Sequence, residues 1–117
     1  MKHLLRLEQL GLLALAVLLF SQLAYAWWWY LVLFLLPDLG MLGYLAGPRL
    51  GAATYNLTHH QGLAVLCYAL GFYIGMPALL LAGTVLLGHS AFDRVMGYGL
   101  KYATDFKDTH LGRLGNS

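Results

Sequence analysis

"FLLPDLGMLGYLAGPR", residues Phe34–Arg49, opens as a membrane-crossing helix should and then places Asp38 directly after Pro37, deep in an apolar run. A carboxylate inside a span costs several kcal/mol to insert, so such a residue is expected to face other helices and to have partners there. Proline removes the N–H that would bond the carbonyl one turn earlier, at Leu33, and that oxygen needs another donor. Gly40, Gly43 and Gly47 follow, small residues that let a neighbouring helix come close. The segment therefore reads as a helix built to bring one carboxylate into a crowded, polar interior.

The rest of the chain supplies the setting. Of 117 residues, 60% are hydrophobic and only 10% charged, whereas a soluble domain carries about 25% charged residues. Four segments approach the length of about 20 apolar residues needed to cross a hydrocarbon core: Leu5–Tyr25, Trp28–Ala46, Leu50–Tyr73 and Pro77–Tyr98. Short links at Trp27–Trp29, Gly47–Arg49 and Gly75–Pro77 make consecutive spans antiparallel neighbours. The expected fold is all-α, an integral membrane antiparallel four-helix bundle over residues 1–98 with a short C-terminal tail, 99–117.

Basic residues set the orientation. Lys2 and Arg6 precede the first span, Arg49 lies between the second and third, and Arg94, Lys101, Lys107 and Arg113 end or follow the fourth. The positive-inside rule then places both termini and the middle loop in the cytoplasm, with the tryptophan triplet and Tyr30 at the outer interface. Met1–Ala26 also has the outline of a cleavable signal peptide, but Glu8 is out of place in one, and the segment is expected to stay as a span. A net charge of +2 without a basic face excludes nucleic-acid binding. Cys67 has no partner, which excludes a disulfide framework and a cysteine zinc site. Asn56-Leu57-Thr58 matches a glycosylation sequon inside a span and carries no meaning there.

Five ionisable residues fall within the spans: Glu8, Asp38, His59, His89 and Asp93. Measured by helix rise from the nearest basic anchor, they lie about 9 to 18 Å deep, all between the cytoplasmic surface and the midplane. His89 and Asp93 are four apart and share a helix face, as do Tyr55, Asn56 and His59. Imidazole nitrogen and carboxylate oxygen are the ligands of zinc, manganese and non-haem iron, and four-helix bundles build such centres from inward-facing residues. Asp38, His59, His89 and Asp93 are accordingly the expected metal ligands. Glu8 is read as a further ligand or a general base, Arg94 as an anion clamp, and Tyr55 or Asn56 as a support for His59.

Taken this way, the residues point to a divalent-metal site of a membrane hydrolase, the cation activating a water against a lipid or amphipathic substrate. Other readings compete with it. Asp38 in an ion pair with Arg94 would be a structural clasp, in a non-catalytic accessory subunit of a larger membrane complex or a homo-oligomer packed through Gly43-x3-Gly47 and Gly71-x3-Gly75. His59 and His89 would suit a bis-histidine haem b, though the flanking carboxylates disfavour it. Proton or ion movement would need polar residues in the outer halves, where only Ser21, Gln22 and Thr84 stand. His60 points about 100° away from His59 and is expected at a headgroup or a neighbouring helix, with His3 and His110 near the surface.

Three stretches, "RLE" (Arg6–Glu8), "PDLGMLGYLAGPRLGAATYNLTH" (Pro37–His59) and "GHSAFDRVMGYGLKYATDFKDTHLG" (Gly88–Gly112), resemble a small bacterial membrane family, the domain of unknown function 4260. The resemblance implies a multi-pass protein of the bacterial inner membrane and puts Glu8, Asp38, His59, His89, Asp93 and Arg94 within family motifs, with His60 outside them. It implies no activity. A looser likeness, a Pro-Asp element followed by membrane histidines, is to membrane-bound metal-dependent hydrolases, and a pattern of this kind does not establish function.

Overall fold

A computed structural model describes residues 1–101 and 107–113. The chain is helical: α1 (Lys2–Ser21), α2 (Trp27–Leu33), a 3₁₀ helix (Leu36–Ala46), α3 (Pro48–His59), α4 (Gln61–Ile74) and α5 (Pro77–Val95). Three stretches, Lys2–Ser21, Trp27–Ala46 and Pro77–Val95, are long and apolar enough to cross a membrane. The expected third span, Leu50–Tyr73, is instead two shorter helices. His60 breaks it in an extended conformation (φ −80°, ψ 119°) and caps α4, its Nδ1 accepting the Leu63 N–H at 3.1 Å. At the other side of the break, Arg94 donates to the His59 carbonyl at 3.4 Å, so the chain interruption leaves polar groups answered on both sides.

The second span also differs from a continuous α-helix. Pro37 and the small residues after it recur every third position, Pro37, Gly40, Gly43 and Ala46, and three residues per turn is the period of a 3₁₀ helix, in which such positions eclipse. This small-residue edge lies against α3. A Cβ on Gly40 would stand 2.7 Å from the Thr54 backbone oxygen, and one on Gly43 would stand 2.9 Å from that of Leu50. The contact is reciprocal, because a Cβ on Gly51 of α3 would run into the Tyr44 ring. Thr54 Oγ1 donates across the gap to the Gly40 carbonyl. Gly47, at φ +126°, turns the chain from the 3₁₀ helix into α3, a conformation glycine adopts readily.

Helix α5 is the centre of the assembly. Its residues Gly83–Val85 and Leu87–Ala91 are all buried, and α1, α3 and α4 pack on it. Gly83 admits the Tyr68 backbone of α4, and Gly88 leaves room for the Tyr30 hydroxyl and Ala16. Tyr30 uses that room to donate to the Thr84 carbonyl at 2.9 Å while its ring packs on Phe20, 4.8 Å between centroids. By contrast α1 buries only Ala16 and Phe20 and exposes Leu4, Leu7, Leu10, Val17 and Leu18, the distribution of a helix whose outer surface meets lipid.

Part of the expected tail, residues 102–106 and 114–117, lies outside the described residues. The described part folds back on the helices. Asn56 of α3 holds Lys101 by both backbone groups, donating to its carbonyl at 2.7 Å and accepting its N–H at 2.6 Å. Lys101 bridges to Thr109, within a short hairpin of β1 (Asp108–Thr109) and β2 (Gly112–Arg113). His110 closes the loop, its Nδ1 accepting the Leu100 N–H at 2.7 Å.

Two outcomes follow from these contacts. Gly43→Val overpacks a backbone-to-helix contact and is expected to destabilise the protein by about 1–3 kcal/mol, seen as a lower midpoint of thermal unfolding in detergent, with Gly11→Val, which faces open space, as the control. The second concerns His110, whose pKa is lowered by burial and then by the Arg94 charge. A neutral ring is what the tail requires, so docking is complete above the ordinary histidine pKa of about 6.5 and weakens as pH falls below it. Hydrogen exchange at the Leu100 amide should therefore accelerate on acidification in the native protein and be insensitive to pH, beyond intrinsic chemistry, in His110→Ala.

Candidate metal centre

Four side chains from three elements converge: Asp38 from the 3₁₀ helix, His59 from the last turn of α3, and His89 and Asp93 from one face of α5. They form a closed ring of alternating imidazole and carboxylate. His59 Nε2 lies 3.3 Å from Asp38 Oδ1 and 3.3 Å from Asp93 Oδ2, and His89 Nε2 lies 3.0 Å from Asp38 Oδ1 and 3.4 Å from Asp93 Oδ2. One ligand atom from each of the four fits within 4.8 Å of all the others. Atoms bound at about 2.0–2.2 Å to one cation stand about 2.8–3.6 Å apart at right or tetrahedral angles. The four edges of the ring have that dimension.

Why these nitrogens face inward is decided by the other side of each ring. His89 Nδ1 is bonded to the Phe34 carbonyl and His59 Nδ1 to the Tyr55 carbonyl at 2.9 Å, with Thr58 Oγ1 at 3.0 Å. A carbonyl only accepts, so Nδ1 carries a proton in both rings, and Nε2 is the atom each ring turns to the carboxylates, a lone pair in the neutral imidazole and a donor in the charged one, as in the 3.0 Å bond of His89 to Asp38 Oδ1. With both imidazoles neutral, two lone pairs and two carboxylates face one another. His59 Nε2 is buried and makes no hydrogen bond, although two carboxylate oxygens are close by. Such an arrangement repels itself unless a cation or shared protons occupy the middle.

The Phe34 carbonyl is free because of Pro37. In an α-helix the missing proline N–H would orphan Leu33, the oxygen expected from sequence. In the 3₁₀ pattern, where bonds run three residues back, it orphans Phe34 instead, and Asp38 N–H bonds to Leu35. His89 takes the vacated acceptor, and its ring is further held by Phe34, 5.0 Å between centroids.

A layer of supporting groups closes the side toward the tail. The Tyr55 ring stacks on His59 at 3.8 Å and 10°, and its hydroxyl reaches Asp93 Oδ2 at 3.4 Å. The Lys101 ammonium lies over the opposite side of that stack, 4.5 Å from the Tyr55 centroid. Exposure distinguishes the two carboxylates: the side chain of Asp93 is 14% exposed and that of Asp38 35%, so the ring is open at Asp38.

Of the sequence-derived site residues, Asp38, His59, His89 and Asp93 are brought together and Glu8 is not. Glu8 sits exposed on α1, and the next residue, Gln9, is the one turned toward the helices, bonded to Gln61. Arg94 is half-buried and spends a donor on the end of α3; in place of the alternative Asp38–Arg94 pair, Asp38 lies between two histidines. Asn56 supports the tail, and the backbone and ring of Tyr55 support His59. Lys101 and Phe34 escaped the sequence reading. Lys101 was legible only as a basic anchor beyond the last span, and Phe34 only by counting the proline's lost bond three residues back.

Pro37→Ala restores an N–H that competes with His89 for the Phe34 oxygen. Loss of such a support to a metal-binding histidine costs about 10- to 100-fold in affinity, so a divalent cation added to the variant should bind that much more weakly than one added to the native protein, as read by competition with a chelator, with helix content by circular dichroism unchanged.

The family described as Domain of unknown function (DUF4260) matches residues 2–114. No curated protein and no solved structure matches the chain. With nearly every residue inside the match, from the first turn of α1 to the hairpin that carries the tail, the chain belongs to the domain of unknown function 4260 family.

Proposed function

We propose that this protein is a small multi-pass enzyme of the bacterial inner membrane, a divalent-metal-dependent hydrolase acting on a lipid or amphipathic substrate. The observation that supports the reading is the ring in which two imidazole Nε2 atoms alternate with two carboxylates, each imidazole anchored through Nδ1 to a backbone carbonyl. With both imidazoles neutral, one divalent cation would balance the two carboxylates. Nitrogen and oxygen donors suit zinc, manganese or iron.

In this reading α1, the α2–3₁₀ pair and α5 each cross the bilayer, and α3 with α4 makes the fourth crossing, interrupted at His60. Interrupted helices are tolerated at membrane depth where their polar groups are answered, as Arg94 and the His60 side chain do here. Both termini and the Arg49 turn lie on the cytoplasmic side by the distribution of basic residues.

A bound cation would supply Lewis acidity and lower the pKa of a water to about 7. The protein's own contribution is placement. The Phe34 and Tyr55 carbonyls fix both imidazole tautomers. Asp38 turns Oδ1 to the histidines at the open side of the ring, and its second oxygen would be the general base there, in place of Glu8, which was read as ligand or base. Arg94, with N–H groups beyond the one given to His59, remains the clamp for an anionic substrate group.

Elemental analysis of the purified protein tests the proposal directly. About one metal ion per chain is expected, falling to near zero in Asp38→Ala and His89→Ala and released from the native protein on acidification as protons compete for the imidazoles. No Soret absorption should accompany it. A folded, metal-free wild-type protein that takes up no zinc, manganese or iron on titration overturns the assignment and leaves a proton-linked clasp.

A further inference from the structure

His59 is the last residue of α3, and the chain breaks at His60 immediately after it. The end turn of a helix frays, so this imidazole needs support from outside its own helix. The support comes from the far end of the chain. Asn56, in the same turn, takes both backbone groups of Lys101, at 2.7 and 2.6 Å. Tyr55, next to it, is enclosed between Lys101 and His59, with the ammonium 4.5 Å from its ring centroid and the imidazole stacked on it at 3.8 Å. All three are buried, as is Thr109, which bridges to Lys101 from the hairpin. One line of contacts thus runs from the ring through His59, Tyr55 and Asn56 to the tail.

We propose that docking of the tail at Asn56 and binding of a divalent cation at the ring are coupled, each favouring the other, with Asn56 and Tyr55 as the positioning residues between them. The inference rests on the metal-centre part of the hydrolase reading and adds its regulation. Order gives the coupling its direction. A cation binds only when His59 is held with Nε2 at the ring. A docked tail has already restricted that turn of α3, so the cation meets less of the entropy cost. In reverse, a cation that fixes His59 also fixes the turn that carries Tyr55 and Asn56, on which Lys101 docks. Coupling of two binding equilibria is reciprocal, so the factor by which the docked tail raises cation affinity equals the factor by which the cation raises docking.

The test uses the full chain in detergent with zinc as the probe, and manganese or iron(II) where zinc is not taken up, read by competition with a chelator. Asn56→Leu removes both bonds to Lys101 and should weaken cation binding about tenfold, the size of effect seen when a support to a ligating histidine is lost. In the native protein the cation should slow hydrogen exchange at the Lys101 amide, which donates to Asn56, by the same factor. The Met76 amide, bonded to Gly71 at the other end of α4, should be unchanged. This second arm needs no variant and decides the question should Asn56→Leu fail to fold. Equal affinity in Asn56→Leu and the native protein, or a Lys101 amide that the cation leaves unchanged or speeds, overturns the coupling. The two readings fail differently: a native protein that binds the cation without a change at Lys101 loses the coupling alone, whereas one that binds none of the three metals loses the metal centre and the coupling with it.

Discussion

The hydrogen bond from His89 to the Phe34 carbonyl ties the membrane architecture to the polar centre. It exists because Pro37 cannot donate and because the helix after it is wound in threes, so that the vacant acceptor is Phe34. One bond then does two things. It satisfies a carbonyl that lipid would leave unpaired, at a cost of several kcal/mol, and it fixes which nitrogen of His89 faces Asp38 and Asp93. Structural necessity and chemical orientation are the same contact. At His59 the arrangement is repeated locally, with the carbonyl of Tyr55 one turn back in its own helix.

Close backbone approach is the second constraint. The small residues at every third position of the 3₁₀ helix bring it against α3, and Gly83 and Gly88 bring α4 and α1 against α5. In lipid there is no hydrophobic force between helices, so contact depends on such fit and on interhelical hydrogen bonds. Thr54 to Gly40 and Tyr30 to Thr84 are bonds of that kind, each from a side chain to a carbonyl of the neighbouring element. Asp38 and His59 can share a ring because the segments that carry them are already held this near.

Much of this is legible in the sequence. Composition marks the membrane class, the depth of the ionisable residues picks out Asp38, His59, His89 and Asp93 together, and Pro37 announces an unpaired carbonyl. The departures have physical causes. Helical rise gives depth but no azimuth, so it admitted Glu8, which faces outward on α1 while Gln9 faces in. Apolar content measures span length but is blind to a break made by side-chain capping, so Leu50–Tyr73 read as one helix where His60 divides it. Lys101 gave no local signal, because its burial over Tyr55 depends on Asn56, 45 residues earlier, seizing its backbone.

The winding of the second span also bears on how so short a chain spans a bilayer. Eleven residues in a 3₁₀ helix extend about 22 Å, against about 16 Å in an α-helix. Added to the seven residues of α2, at about 1.5 Å each, this brings the segment to about 32 Å, close to the hydrocarbon thickness of about 30 Å. The tighter coil is thus also the longer one. A stretch interrupted by proline and thinned by glycine is thereby long enough to reach across a membrane with no added residues.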